Sequence, residues 1–72
     1  MNLYEARLEF NNTPIVINLD NVVAISPNIS SGQTVIDCIG EEVDRSYYLN
    51  ESFETTIKRL NRGEWNLNEV EQ

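Results

Sequence analysis

The residues equipped for chemistry fall into two small clusters of opposite sign. Glu41, Glu42 and Asp44 crowd a four-residue span, and Lys58, Arg59 and Arg62 close the stretch 47-YYLNESFETTIKRLNRG-63. Grouped carboxylates can bind Ca²⁺ or Mg²⁺, but calcium takes about six to eight oxygens from a shaped loop, which one short acidic span does not specify. The acidic cluster therefore reads as a solvated turn. The cations have two readings. They complement the negative end of a helix, or they form a basic edge for a carboxylate or phosphate.

Little else in the chain points to catalysis. There is no histidine, so the common proton shuttle near neutral pH is missing. The single cysteine, Cys38, lies inside the apolar run TVIDCI and reads as a core residue, since a reactive thiol needs exposure and a lowered pKa. A nucleophilic serine or threonine would need a base and an orienting group beside it, and no such arrangement is announced. Glycine-rich phosphate loops, Cys-x-x-Cys pairs and His-Glu-x-x-His helices are absent. The expectation is a protein that is not an enzyme and holds no cofactor or metal. Three Asn-x-Ser/Thr matches, at Asn11, Asn28 and Asn50, read as chance in an asparagine-rich chain.

Charge narrows the partners. The formal net charge is -7 over 72 residues. Affinity for a phosphate backbone grows with accumulated positive charge, so direct nucleic-acid binding is not expected. Anionic membrane surfaces are disfavoured for the same reason. No apolar run approaches the ~20 residues that span a bilayer. The opening MNLYEARLEF alternates and carries two glutamates, unlike a signal peptide, so a cytoplasmic location is expected.

The elements that must position these residues come from periodicity. Residues 3–10, LYEARLEF, put Tyr4, Ala6, Leu8 and Phe10 on one face of a half-buried strand. Asn11-Asn12-Thr13-Pro14 reads as a turn, and IVINL at 15–19 resumes with Ile15, Ile17 and Leu19 on one face, making a hairpin. Asp20 and Asn21 bend the chain before residues 22–25. Pro27 ends that strand because it has no N–H to donate. A loop with Gly32 free to take positive φ leads into 34–39, where Ile36 and Cys38 on one face and Val35 and Ile39 on the other predict an inner strand, or one with its second face covered. Tyr47, Tyr48 and Leu49 make a short last strand.

Asn50 is the expected N-cap of the helix that follows. Phe53, Ile57 and Leu60 form its apolar stripe, with Thr56 beside them, and Gly63 terminates it. Glu54 precedes Lys58 by four residues, the favourable order for a helix ion pair. The fold class is α+β: a small antiparallel sheet of four or five short strands followed by one C-terminal amphipathic helix. Residues 1–63 form the single domain. Residues 64–72 are a tail with Trp65 and Leu67. It folds back to cap the core, adds a strand to a neighbouring subunit, or stays loose.

The segment Tyr48-Leu49-Asn50-Glu51-Ser52-Phe53-Glu54, followed by Ile57, Lys58, Arg59 and Leu60, resembles the end of the small FlbD-like proteins of flagellar operons. Ile17 to Asp20, on through Ile25, and Thr34-Val35-Ile36 look like their middle strands. The resemblance covers roughly residues 8 to 62. It implies a short antiparallel sheet finished by one helix, in a non-enzymatic accessory protein with no catalytic residues to carry over. The chain departs from that pattern in its acidic turn after Ile39 and its Trp65 tail.

The function expected from these features is a small protein-interaction module or regulator. It would bind a protein partner through an open sheet edge or the helix polar face, with Thr55, Lys58, Arg59 and Arg62. Two alternatives stand beside it. One is an acidic inhibitor that presents Glu41, Glu42 and Asp44 to a basic nucleic-acid-binding protein. The other is self-association as a structural homo-oligomer subunit, with Trp65 buried between copies.

Overall fold

Among the described residues, alternating apolar residues build five antiparallel strands, and one amphipathic stripe builds the helix that follows them. A computed structural model describes residues 2–40 and 43–63. The elements are β1 (Leu3–Arg7), β2 (Pro14–Asn18), β3 (Val22–Pro27), β4 (Gln33–Cys38), β5 (Arg45–Ser52) and α1 (Phe53–Arg62). The α+β class and the helix after the sheet are as the periodicity predicts.

Strands β1 and β2 pair as a hairpin, while β3, β4 and β5 form a second ladder with β4 in the middle. The two parts meet where Leu8 bridges Leu49 and the Glu9 N–H donates to the Tyr48 carbonyl at 2.8 Å. Strand β4 is the inner strand of its ladder, but only one of its faces is buried, and Ile39 lies beyond the strand at 56% exposure. Thr34, Ile36 and Cys38 point into the core, and Ile36 is fully buried. Tyr4, Ala6, Ile17 and Leu49 complete the buried apolar cluster from β1, β2 and β5.

Asparagine shapes the connections. Asn11, Asn18 and Asn28 each accept, through the side-chain oxygen, the N–H two residues on, at 3.0–3.1 Å. These local bonds mimic a backbone turn. The bend at Asp20 and Asn21 is a short 3₁₀ turn, Leu19–Asn21.

Three expectations need correction. The first strand stops at Arg7, and Phe10 lies outside the core at 96% exposure. The chain turns back at Leu8, whose carbonyl accepts the Asn12 N–H and whose N–H donates to Thr13, so the period-two phase is lost before Phe10. The last strand is also longer than Tyr47 to Leu49 and runs to Ser52. Consequently Ser52, not Asn50, is the N-cap, and its Oγ accepts the Thr55 N–H at 3.1 Å. Asn50 instead bonds to the side chains of Asn12 and Gln33. At the other end Gly63 adopts the left-handed conformation, φ 71°, and its N–H reaches the Arg59 and Leu60 carbonyls.

Candidate functional site

Two features stand out on this frame: a buried polar cluster beneath the helix and an open apolar groove beside the hairpin. The cluster grows from the helix face that meets the sheet. Thr56 and Arg59 are the buried residues of α1, flanked by half-buried Phe53, Ile57 and Leu60. Spacing of three along a helix brings Thr56 and Arg59 to one side, over β4, β5 and β1.

Arg59 is only 6% exposed. Its guanidinium pairs with Glu51 at 2.8 Å and donates to the Tyr4 hydroxyl at 3.0 Å and the Glu5 carbonyl at 2.8 Å. It also lies 4.3 Å from the centre of the Tyr4 ring, where the ring quadrupole attracts a cation. The Tyr4 hydroxyl donates to the Glu51 carboxylate. Thr56 donates to the same carboxylate, and the Thr34 and Thr56 hydroxyls share a hydrogen bond at 2.6 Å. A carboxylate placed against one guanidinium and two hydroxyls is well compensated for its burial.

The cluster shifts one titration clearly. Burial, followed by the bond to Glu51 and its negative charge, holds the Tyr4 phenol well above the ordinary tyrosine range, against smaller opposing effects of Thr56 and Arg59. The Cys38 thiol is also raised, by burial and then by the Asp37 charge, as suits a core thiol. The described hydroxyls of the cluster are committed to one another and to Glu51. The arrangement therefore fastens the helix to the sheet rather than presenting a reactive group to solvent.

The predicted cations thus separate. Arg59 leaves the polar face and becomes interior, because a carboxylate on β5 and an aromatic ring on β1 compensate it. Lys58 and Arg62 remain exposed. Asp44 is exposed, while Glu41, Glu42 and Trp65, with the whole 64–72 tail, lie outside the described residues. Among the described residues, no group of three or more His, Cys, Asp or Glu side chains could hold a metal ion. None of the described helices is long and apolar enough to cross a membrane.

Sequence reasoning missed Glu51 and Tyr4 as the partners of Arg59. A signal existed on the helix, since Arg59 falls three residues after Thr56 and beside Leu60, at the margin of the apolar stripe. Its partners are 8 and 55 residues away in sequence, and no local pattern links them.

The groove lies where the β1–β2 turn departs from β5. It encloses about 560 Å³ and is lined by Leu8, Glu9, Phe10, Ser46, Tyr47 and Tyr48. Tyr48 is half exposed beside the fully projecting Phe10. A smaller depression of about 240 Å³, lined in part by Asn18, Cys38, Ile39 and Arg45, opens between β2 and the end of β4.

Fold and site together define a small α+β domain with a polar-locked helix and an open aromatic groove. Comparison with family models, curated proteins and solved structures gives no match.

Proposed function

We propose that the chain is a small non-enzymatic protein-interaction module whose partner docks at the groove of Leu8, Phe10, Tyr47 and Tyr48. The exposure of Phe10 carries this reading. Isolated apolar residues on a surface need no explanation, but aromatic side chains gathered around one concavity mark a contact site. Aromatics in such a place supply large contact area and are favoured at binding hot spots. The resemblance to the FlbD-like proteins implies an accessory role of the same kind. The helix polar face is a weaker candidate now that Arg59 is interior.

Affinity capture with the wild-type chain and a Phe10→Ser/Tyr48→Ser variant tests the reading. The expected result is a stoichiometric partner retained by the wild type and lost by the variant, with both chains melting at similar temperatures. An identical set of proteins on both would overturn it. A partner lost instead with Lys58→Glu/Arg62→Glu would move the surface to the helix.

A further inference from the structure

As well as aromatic side chains, the groove contains a piece of β-sheet edge that is open among the described residues. The Tyr48 carbonyl points away from β4, because it accepts the Glu9 N–H from the β1 side. Backbone groups alternate along an antiparallel strand. The ladder between β4 and β5 is regular from Cys38↔Arg45 to Thr34↔Leu49. The N–H and C=O of Ser46, two residues before Tyr48, therefore point to the same outer side. There the hairpin has already turned away: Leu8 and Thr13 close the turn on themselves. Ser46 lines the groove, and its own hydroxyl is spent on Asp37 at 2.6 Å.

Electrostatics selects the occupant. Glu9 is the charged residue lining the groove, and exposed Asp44 immediately precedes β5. Of the nearby cations, Arg45 lines the smaller depression instead, and Arg7 is turned to the Asn12 carbonyl at 3.1 Å. A second copy of this chain would bring another net charge of -7 to a chain of the same charge. A basic segment gains where that copy is repelled.

Resting on the interaction-module reading, we propose that the groove takes an extended basic segment of a partner protein as an added strand. The segment pairs with the outer backbone of β5 at Ser46. It places an aromatic or large aliphatic side chain against Phe10 and Tyr48, and directs Lys or Arg toward Glu9 and Asp44. Strand addition draws affinity from the main chain and specificity from such side-chain seats.

The test is selection from a random nine-residue peptide library on the wild-type chain, with soluble Phe10→Ser/Tyr48→Ser variant as competitor. Enriched peptides should share an aromatic or large aliphatic residue with Lys or Arg close by. A synthetic consensus peptide should shift the amide resonances of Glu9, Ser46 and Tyr47. Methylating the backbone nitrogen that faces Ser46 should weaken it about tenfold, the worth of one good hydrogen bond. No enrichment, acidic or neutral consensus sequences, or tolerance of N-methylation at every position would overturn strand addition by a basic segment. Doubling of the free protein's mass, with dilution shifting the same resonances, would assign the face to a second copy and also overturn it. The capture experiment does not depend on peptide class. A partner lost with the aromatic pair, but no enriched peptide, removes only this inference and leaves the module reading standing.

Discussion

Arg59 brings a charge into the interior, and its surroundings decide whether that stabilises the protein. Removing one member of a buried pair leaves the other unpaired, which typically costs about 3–5 kcal/mol. Arg59→Ala strips Glu51, Tyr4 and the Glu5 carbonyl of a donor at once. It should destabilise the chain by about 3 kcal/mol in urea unfolding, whereas exposed Lys58→Ala should stay within about 0.5 kcal/mol. Equal small losses would show that the cluster adds nothing to stability. Tyr4 makes a pH-dependent prediction at the same place. Its phenol keeps the proton more firmly in the fold than in the unfolded chain, through burial first and the Glu51 carboxylate second. The unfolded chain therefore ionises first as pH rises. Tyr4's contribution is complete below about pH 10, the ordinary tyrosine value, and drains away above it. Stability measured from pH 8 to pH 11 should fall less steeply at the alkaline end for Tyr4→Phe than for the wild type. Parallel curves would refute the assignment.

At the scale of elements, the strand-to-helix junction turns on a single cap. Ser52 ends β5 and caps α1, so its Oγ satisfies a backbone donor left free at the helix start. Ser52→Ala should cost about 1 kcal/mol. Asn50→Ala, which removes only exposed side-chain bonds to Asn12 and Gln33, should cost less than half as much. The reverse order by urea titration would restore Asn50 as the cap. This junction also shows how far the sequence could be read. Asn50 and Ser52 are both good caps by type, and Leu49 is followed by polar residues, so period two gives no reason to extend the strand. The ladder decides, because Gln33 pairs with Ser52 after an irregular step and draws β5 three residues past Leu49. Inner strand β4 was readable from its β-rich apolar run, although only the Thr34, Ile36 and Cys38 face is buried and Ile39 beyond it is exposed. Phe10 was not, because a turn that begins at Leu8 breaks the phase without changing the alternating pattern. The groove escaped the sequence altogether, since it joins residues 8–10 to residues 46–48 through one non-local bridge.

For the whole molecule, size sets the stakes. A domain typically holds about 0.05–0.15 kcal/mol per residue, or roughly 4–11 kcal/mol for a chain of this length. Against that total, a single core truncation of about 2–5 kcal/mol is a large fraction. Leu49 is the most exposed to this argument. It is fully buried, it faces Thr34 across the β4–β5 ladder, and it forms the bridge that joins the hairpin to the other three strands. Leu49→Ala thus removes packing and loosens the joint together. Arg59 spans the same joint from the helix side, donating to β1 and pairing with β5. Because one apolar residue and one ion pair link the same parts, their losses should not add independently. In urea, Leu49→Ala should shift the midpoint sharply downward while hairpin and helix signals still melt together. Val16→Ala, on the exposed face of β2, should leave the midpoint nearly unchanged. Separate transitions for hairpin and helix in the wild type would show two weakly coupled units. A single transition that splits only when Leu49 and Arg59 are both replaced would identify these two contacts as the source of its cooperativity.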